Sequence, residues 1–245
     1  VTPTQAAPML GTAIMQGKTS TEVIEAFASG DTGWTIPFAD SSIQVVGGFA
    51  HRQEKYQRIS DSVFQDGSLL GQGGPTPSVN GGYTVAEIYG EANIPLISDA
   101  PAFENLTLDL AYRYSDYSTS GGTDTYRAGL DWAPIERLRL RSGFNRAVRA
   151  PNVAELFSAQ TLGLWSGDDP CSGAAPTYTE AQCANLKVLP GQYGNITASP
   201  AGQYNNIAGG NPDLLPEEAD TLTLGIVIDP LDTLTISVDY WNIEI

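Results

Sequence analysis

The residues best suited to bind a charged group lie close together in this 245-residue sequence of net charge -16. Arg146, Arg149, Asn152 and Glu155 occupy a short stretch that is interrupted by Pro151. A guanidinium group forms paired, charge-assisted hydrogen bonds with a carboxylate. The two arginines could therefore bind an acidic ligand or partner, or they could pair with acidic residues of the chain itself and act as a scaffold.

Two cysteines, Cys171 and Cys183, lie near each other in a turn-rich segment. A disulfide between them would close a small ring, stabilise the fold by about 3 kcal/mol through lost chain entropy, and imply an oxidising compartment. Two free thiols or a zinc site are the alternatives. Zinc needs further ligands, but there is no second cysteine pair and the only histidine, His51, is distant in sequence. We therefore predict a disulfide.

Other reactive residue types form no recognisable site. Asp168 and Asp169 could bind calcium, but the regularly spaced ligands of a calcium loop are missing around them. A serine nucleophile would need a histidine base, and His51 lies in no such motif, so we interpret it as a solvated side chain. The carboxylates lack the spacing that marks a glycosidase pair. We expect no enzyme activity, no metal and no cofactor.

The elements that position these residues are predicted from the alternation of apolar and polar side chains. Leu138 and Leu140 alternate with Arg139 and Arg141. A period of two residues predicts a strand with one apolar and one polar face. The alternation ends before Pro151, because proline cannot donate to a β-ladder. A long, turn-rich segment follows before the next strand.

The same pattern predicts about eight strands. They cover residues 19–29, 43–58, 83–96, 106–117, 125–132, 138–149, 219–229 and 234–240. A strand that crosses a membrane needs only about 10 alternating residues, so these strands are compatible with a membrane protein. No apolar run approaches the roughly 18 residues that a spanning helix needs, which excludes a helical membrane protein.

The lengths of the links between strands favour a barrel. The links after the second and sixth strands are long, the link after the fourth carries extra polar residues, and the others are shorter. In an up-and-down meander, alternate links lie at opposite ends of the sheet. Long loops at one end and tight turns at the other are typical of an outer-membrane barrel, whereas a soluble β-sandwich is not expected to segregate loop length in this way.

Composition and aromatic placement support the same prediction. The 12 basic residues are outnumbered by 28 acidic ones, and because nucleic acids are bound through positive charge, we expect no nucleic-acid partner. Aromatic residues cluster near the ends of the predicted strands, as in the girdles at membrane interfaces. These residues are Tyr112, Tyr114, Tyr117, Trp132, Tyr240 and Trp241.

Several stretches carry recognisable motifs in a specific order. They are AYRYSDYSTSGGTDTYRAGLDWAPIERLRLR, FNRAVRAPNVAELF, DPCSG, QCANL, GGNPDLLPEEADTLTLGIVIDP and LTISVDYWNIEI. Together they resemble the C-terminal barrel region of TonB-dependent outer-membrane receptors, over nearly everything from about Ile43 to Ile245. One departure is Leu215, where the family often carries lysine.

The resemblance implies an all-β fold: part of an antiparallel up-and-down transmembrane β-barrel of about 22 strands with a plugged lumen and long extracellular loops. Such receptors, in the bacterial outer membrane and in contact with its lipid, bind ferric siderophores, cobalamin or glycans. The periplasmic protein TonB supplies energy through an N-terminal plug. No plug and no TonB box are visible in residues 1–245, so we expect this chain to be a partial barrel domain, about a third of the whole.

The resemblance also assigns roles to individual residues. Aromatic rings stack on sugars and siderophore rings, so substrate contacts are expected at the loop residues Phe64, Trp165, Tyr178, Tyr193 and Tyr204, although these rings could equally pack the loops together. The polar strand faces are expected to line the lumen, and their mixed charges suit a plugged interior. These lumen candidates are Glu87, Glu91, Asp109, Arg113, Arg127, Asp131, Arg139, Arg141 and Asp239.

A motif shared by receptors of many substrates is expected to be architectural. Its residues here are Arg146, Arg149, Pro151, Glu155, Asn211, Pro212 and Glu217. We predict that Arg146 and Arg149 pair with Glu217 and Glu218, which would join the two ends of the long loop.

Two other functions stay open: a secreted or surface β-sandwich that binds glycans, and a passive porin. Eight strands could close into a narrow barrel, but its interior would bury many charges. We therefore predict an open, curved sheet with two unpaired edges.

Overall fold

The computed structural model describes residues 11–69, 71–72 and 74–245, in which ten strands and three short helices form. The strands are β1 (Met15–Thr35), β2 (Ser42–Ser60), β3 (Val79–Ala100), β4 (Phe103–Tyr117), β5 (Gly121–Ile135), β6 (Leu138–Arg149), β7 (Thr161–Ser166), β8 (Gln203–Ala208), β9 (Glu217–Leu231) and β10 (Leu234–Glu244). The helices are α1 (Ser62–Gln65), α2 (Val153–Phe157) and α3 (Glu180–Asn185). Within these ranges no helix is long and apolar enough to span a membrane.

Eight of the strands form one sheet in the order β1-β2-β3-β4-β5-β6-β9-β10. Neighbours in the sheet are neighbours in the chain, except that β6 pairs with β9 across the segment that contains β7 and β8. Links of two residues join β3 to β4, β5 to β6 and β9 to β10. The predicted meander of about eight strands is confirmed.

The long connections leave the sheet at one edge. We call the edge at which β2, β4 and β6 end the loop edge, and the opposite one the turn edge. Residues 61–78 and 150–216 both start from the loop edge, as predicted. The link after β4 is only residues 118–120, shorter than expected, because Gly121 adopts a φ of 76° and pairs at once with Tyr117. The first strand is longer than predicted.

Strands β1 and β10 form the two edges of the eight-stranded sheet, and no ladder joins them among the described residues. The expected open sheet is confirmed. Open edges leave backbone donors and acceptors available to further strands.

Register places the apolar side chains on one face, which we call the apolar face. Leu110, Ala128 and Phe144 are aligned across β4, β5 and β6. Large side chains on this face stay exposed, for example Leu130 at 39% and Val238 at 63%. An extended apolar surface of this kind is a site of contact with lipid or protein. The opposite side of the sheet carries the charged residues, and we call it the polar face.

Aromatic rings lie near both ends of the apolar face. Tyr126 packs against Phe144 at 6.1 Å near the loop edge, and Trp132 packs against Phe103 at 5.5 Å near the turn edge. At about 3.3 Å per residue, Tyr126 and Trp132 are about 20 Å apart along β5. Tyr117, by contrast, packs against Tyr83 with the two rings tilted, and it belongs to the polar face by its register.

The described chain divides into two compact units. The sheet unit, residues 19–56, 81–156 and 211–245, contains most of the large sheet and α2. The loop unit contains residues 11–18, the described part of 57–80, and 157–210, with the two-stranded sheet β7–β8 and helices α1 and α3. Few apolar side chains are fully buried in either unit, as expected for a wall rather than a globule.

Candidate functional site

Arg149 joins three segments of the sheet unit. It is the last residue of β6 and faces Glu217, the first residue of β9, in register. Its Nη2 donates to Glu217 Oε1 at 2.7 Å and its Nε to Oε2 at 2.9 Å, while Nη1 lies 3.1 Å from Glu155 Oε2 in α2. We call Arg149, Glu155 and Glu217 the arginine clamp. The predicted pairing of Arg149 with Glu217 is present.

Asn152 and Glu155 hold the start of α2. Asn152 Oδ1 accepts hydrogen bonds from the N–H groups of Ala154 at 2.9 Å and Glu155 at 3.0 Å, and Glu155 Oε2 accepts one from the N–H of Asn152 at 2.8 Å. This reciprocal arrangement satisfies donors that a helix start leaves free. The Arg149 guanidinium, followed by the Asn152 N–H, lowers the pKa of Glu155 below its ordinary value.

The rest of the predicted motif joins the same place. The N–H of Asn211 donates to the carbonyl of Glu155 at 2.9 Å, and Asn211 Oδ1 accepts from the N–H of Asp213 at 3.0 Å. Pro151 is buried directly after β6, whereas Pro212 is exposed. The structure therefore brings the segment after β6 and the segment before β9 into direct contact.

Arg146 pairs differently from the prediction. Its register partner is Asp220, and the two side chains form two hydrogen bonds of 2.6 and 2.8 Å. Glu218 is 3.9 Å away and makes only a loose contact, and Glu217 belongs to Arg149. Alternation separates Arg146 from Glu217, which lies on the other face, and register selects Asp220, because Glu218 lies opposite Val148 instead. On the apolar face Arg146 also covers the ring of Tyr126 at 5.5 Å. Sequence reasoning missed Asp220.

The predicted disulfide between Cys171 and Cys183 is present, and both cysteines are buried in the loop unit. Cys183 lies in α3, whose start is held by a capping box between Thr179 and Gln182. Asp169 accepts a hydrogen bond from the N–H of Cys171 at 2.8 Å and so shapes the turn before the bridge. In the part of the chain that the structure describes, no group of three or more His, Cys, Asp or Glu residues could hold a metal ion.

The loop aromatics form two separate pairs. Trp165 of β7 faces Tyr204 of β8, with ring centroids 6.0 Å apart. The Tyr193 hydroxyl donates to the carbonyl of Tyr178 at 2.9 Å. Trp165 and Tyr178 are each 45% exposed, whereas their partners are half-buried. Phe64 lies in α1, half-buried.

Most charges of the polar face are paired with one another. Arg139 Nε lies 2.6 and 2.8 Å from the two carboxylate oxygens of Asp131. Arg113 Nη1 is 3.6 Å from Glu87 Oε2, a loose contact, while Glu87 also accepts from the Ser115 hydroxyl at 2.7 Å. Because these partners lie on the same or adjacent strands, they form a layer of ion pairs and hydrogen bonds on the polar face.

Asp109 accepts a hydrogen bond from Asn93 Nδ2 at 2.6 Å. Glu91 and Arg127 differ from the other polar-face candidates, because neither makes an ion pair or a side-chain hydrogen bond with any residue that the structure describes. Both line the same depressions of the polar face.

One ion pair of the polar face crosses a whole strand. Arg141 of β6 and Asp239 of β10 are joined at 2.7 Å, although β9 lies between them. Gly225 of β9 is the residue between them in register. A Cβ atom at Gly225 would meet Asp239 and would lie 2.6 Å from Arg141 Nε. Sequence reasoning missed Gly225, whose only signal is a glycine in the interior of a strand.

A second glycine has the same role between β1 and β3. The Tyr89 hydroxyl donates to Glu25 Oε1 at 2.7 Å and passes over Gly48 of β2, where a Cβ atom would lie 2.7 Å from the hydroxyl oxygen. Arg113 covers the Tyr89 ring at 4.6 Å. Neither Tyr89 nor Glu25 was among the predicted site residues.

Comparison with known proteins decides the family. The family described as TonB dependent receptor-like, beta-barrel, matches residues 10–245. The chain belongs to this family. The TonB-dependent receptors are receptors and not enzymes. Because the family fold is a β-barrel, the alternative prediction of a β-sandwich is wrong for this chain.

Several solved receptor structures share the fold. The siderophore receptor PirA from Acinetobacter baumannii has a TM-score of 0.57 at 16% identity, over 91% of this chain and 27% of that one. A double mutant of the ferric enterobactin receptor PfeA from Pseudomonas aeruginosa has a TM-score of 0.56 at 17% identity, over 91% and 26%. The siderophore receptor PirA from Pseudomonas aeruginosa has a TM-score of 0.53 at 15% identity, over 92% and 32%.

This TonB-dependent receptor chain thus spans about a quarter to a third of the solved structures that it matches. No curated protein matches it.

Proposed function

We propose that this chain is part of the barrel wall of an outer-membrane receptor that takes up a scarce nutrient, with energy delivered by TonB. The proposal rests on one observation: in a chain that belongs to the TonB-dependent receptor family, the large sheet has one apolar face and one polar face. One face exposes apolar side chains between two rows of aromatic rings, and the other carries paired charges. In such a wall the apolar face contacts lipid and the polar face lines the lumen.

Among the proposed substrates we favour a ferric siderophore over cobalamin or a glycan. The solved structures that share the fold include siderophore receptors and a ferric enterobactin receptor in complex with enterobactin. Aromatic rings and arginines are suited to bind flat, anionic ligands, and the loop unit presents exposed rings at Trp165 and Tyr178.

Uptake assays in the source bacterium test the function. We expect deletion of the gene to abolish growth on one ferric siderophore as the sole iron source, and we expect deletion of TonB to have the same effect. Growth should return when the gene is restored. If the deletion strain grows normally on every siderophore but no longer grows on a glycan, the substrate is a glycan and not a siderophore. Uptake that survives loss of TonB would favour a passive porin.

Substitutions in the loop unit test the role of the aromatic rings. We expect Trp165→Ala to weaken substrate binding, because about half of its side chain is free to contact a ligand. Leu164→Ala is the matched control, since Leu164 is a non-aromatic neighbour on β7 and is 54% exposed. Equal binding by both variants, each present in normal amounts in the membrane, would contradict a substrate contact at Trp165.

A further inference from the structure

Ser142 of β6 leaves a gap in the apolar face of the sheet. Its register partners are Leu130 on β5 and Leu224 on β9. The row that they form continues with Leu108 on β4 and Tyr240 on β10. Every member of this row except Ser142 has a large side chain, and Leu130 and Leu224 are 39% and 49% exposed. The short side chain of Ser142 therefore lies between two longer apolar ones.

This gap is part of a depression of about 290 Å³ on the apolar face. Its lining extends from Ser142 to Leu140 on β6 and Trp132 on β5, which are register partners one row nearer the turn edge. The lining also includes Arg141 and Gly225, which belong to the polar face by register. The depression therefore runs from the row of Ser142 towards the aromatic residues of the turn edge.

The depression offers apolar contact and little polar chemistry. The indole N–H of Trp132 already donates to the carbonyl of Ala102 at 2.9 Å. The Arg141 side chain pairs with Asp239 on the opposite face of the sheet. The Ser142 hydroxyl is the remaining polar side-chain group of the described lining. An occupant is therefore held by the burial of apolar surface, and it must itself be apolar.

The width of the depression limits what can enter it. Neighbouring strands lie about 4.8 Å apart, so β5 and β9, which flank β6, are about 10 Å apart. An α-helix with its side chains is about 10–12 Å wide, so it cannot enter between the leucines of these two strands. An extended peptide is excluded as well, because its backbone N–H and C=O groups would have no partners on an apolar face in a membrane. A single hydrocarbon chain is narrower and needs no such partners.

From this arrangement we propose that the depression at Ser142 is a binding site for one acyl chain of a membrane phospholipid. The chain enters from the turn edge, passes Trp132 and Leu140, and ends at Ser142 between Leu130 and Leu224. The short turns of outer-membrane barrels lie on the periplasmic side, so the lipid belongs to the periplasmic leaflet. Such a site differs from the general contact of an apolar face with lipid, because it holds one lipid at one place. Only the placement of the apolar face in the outer membrane rests on the proposed function.

Native mass spectrometry tests the site on the complete natural protein, because it counts the lipids that stay bound in detergent. The protein is reconstituted in vesicles of palmitoyl-oleoyl phosphatidylethanolamine and is then transferred into detergent. We expect the wild type to retain a phospholipid. We expect Ser142→Leu to fill the depression and to lower the fraction of protein with this lipid about tenfold, the effect of about two methylene groups that lose their burial. An apolar residue on the lipid-facing side is compatible with folding.

Two further variants serve as controls. Ser142→Ala keeps the depression open and should retain the lipid as the wild type does. Ala92→Leu adds bulk to the apolar face of β3, three strands from β6, and should also leave lipid retention unchanged. Equal retention by the wild type and all of these variants would show that the site does not exist. Equal loss in Ser142→Ala and Ser142→Leu would contradict a site that is made by the shape of the depression.

Purification directly from the bacterial membrane tests for a different occupant. If the wild type then carries a second protein chain that Ser142→Leu lacks, the depression is a protein interface and not a lipid site. None of these measurements depends on nutrient uptake or on TonB. A protein that takes up no nutrient can still retain the lipid, and a working siderophore receptor can lack it, so failure of the lipid site and failure of the proposed function are distinguishable.

Discussion

Two rows of residues on the polar face have the same layout and a different outcome. In one, Arg141 and Asp239 lie on β6 and β10 with Gly225 between them on β9. In the other, Glu91 and Arg127 lie on β3 and β5 with Ala111 between them on β4. The first pair is joined at 2.7 Å. The second forms no ion pair among the described residues, although its charges are also opposite.

The residue in the middle explains the difference. Neighbouring strands are about 4.8 Å apart, so charges two strands apart must reach over the strand between them. Gly225 has no side chain, and the Arg141 side chain occupies the space that a Cβ atom at Gly225 would fill. Ala111 carries a Cβ atom at the equivalent place. We infer that the Ala111 methyl group keeps Glu91 and Arg127 from forming the kind of bridge that Arg141 and Asp239 form over Gly225.

Replacing the glycine should have the largest effect. We expect Gly225→Ala to lower the free energy of unfolding by about 1–2 kcal/mol, because the new Cβ displaces Arg141 and crowds Asp239. Urea unfolding of the protein in lipid vesicles would measure the change. Gly129→Ala is the matched control on the same face, since a Cβ there meets its neighbours at 3.7 Å or more. Equal effects of the two substitutions would contradict the explanation.

Arg149 and Glu217 lie on the adjacent strands β6 and β9, so no residue lies between them. We expect Glu217→Arg to speed hydrogen exchange in α2, because the reversed charge repels Arg149 and releases the clamp. Adding Arg149→Glu should restore part of the protection. Restoration will be incomplete, because Glu155 would then face a carboxylate.

The matched control for the clamp is Glu218→Arg, the next residue of β9, whose contact with Arg146 is only 3.9 Å. It should change the exchange of α2 much less. Similar exchange in Glu217→Arg and Glu218→Arg proteins would show that Arg149 does not hold α2 through Glu217.

Replacing Ala111 with glycine should allow Glu91 and Arg127 to form an ion pair that is weaker than the pair between Arg141 and Asp239. In the wild type, a double-mutant cycle between Glu91→Gln and Arg127→Gln should give a coupling energy near zero. In an Ala111→Gly background the coupling should rise to about 0.5 kcal/mol, the size expected for a solvated ion pair. A coupling that is unchanged by Ala111→Gly would mean that the middle residue does not control the pair.

The smallest expected effect is the pH dependence of α2. The folded pKa of Glu155 is lowered from an unfolded value of about 4.3, so its stabilisation is complete above that value and is lost as the pH falls through the folded pKa. The protection factors of α2, taken relative to the intrinsic exchange rate at each pH, should therefore be constant near neutral pH and smaller in acid. Glu155→Gln should remove this pH dependence. If the dependence stays the same in Glu155→Gln, another group is responsible.

The sequence by itself determined the faces of the sheet and the order of its strands. Alternation depends only on neighbouring residues, so it identified which side chains of β4, β5, β6, β9 and β10 are apolar and which are charged, and where long connections leave the meander. It did not identify β7 and β8, which lie in the segment predicted as a loop. The disulfide was also predictable, because Cys171 and Cys183 are the only cysteines and lie in one turn-rich segment. The family motifs placed the arginine clamp at the two ends of the long loop.

Only the tertiary structure decided which charges meet. Alternation assigns a residue to a face but does not set the register of two strands that are separated by a long loop, so Arg146 was predicted to pair with Glu217 or Glu218 and pairs instead with Asp220. The bridge over Gly225 and the unpaired Arg127 depend on three strands at once. The alternation along one strand does not show which residue of a neighbouring strand lies beside it. At Gly225 the absence of a Cβ atom leaves room for the ion pair between Arg141 and Asp239.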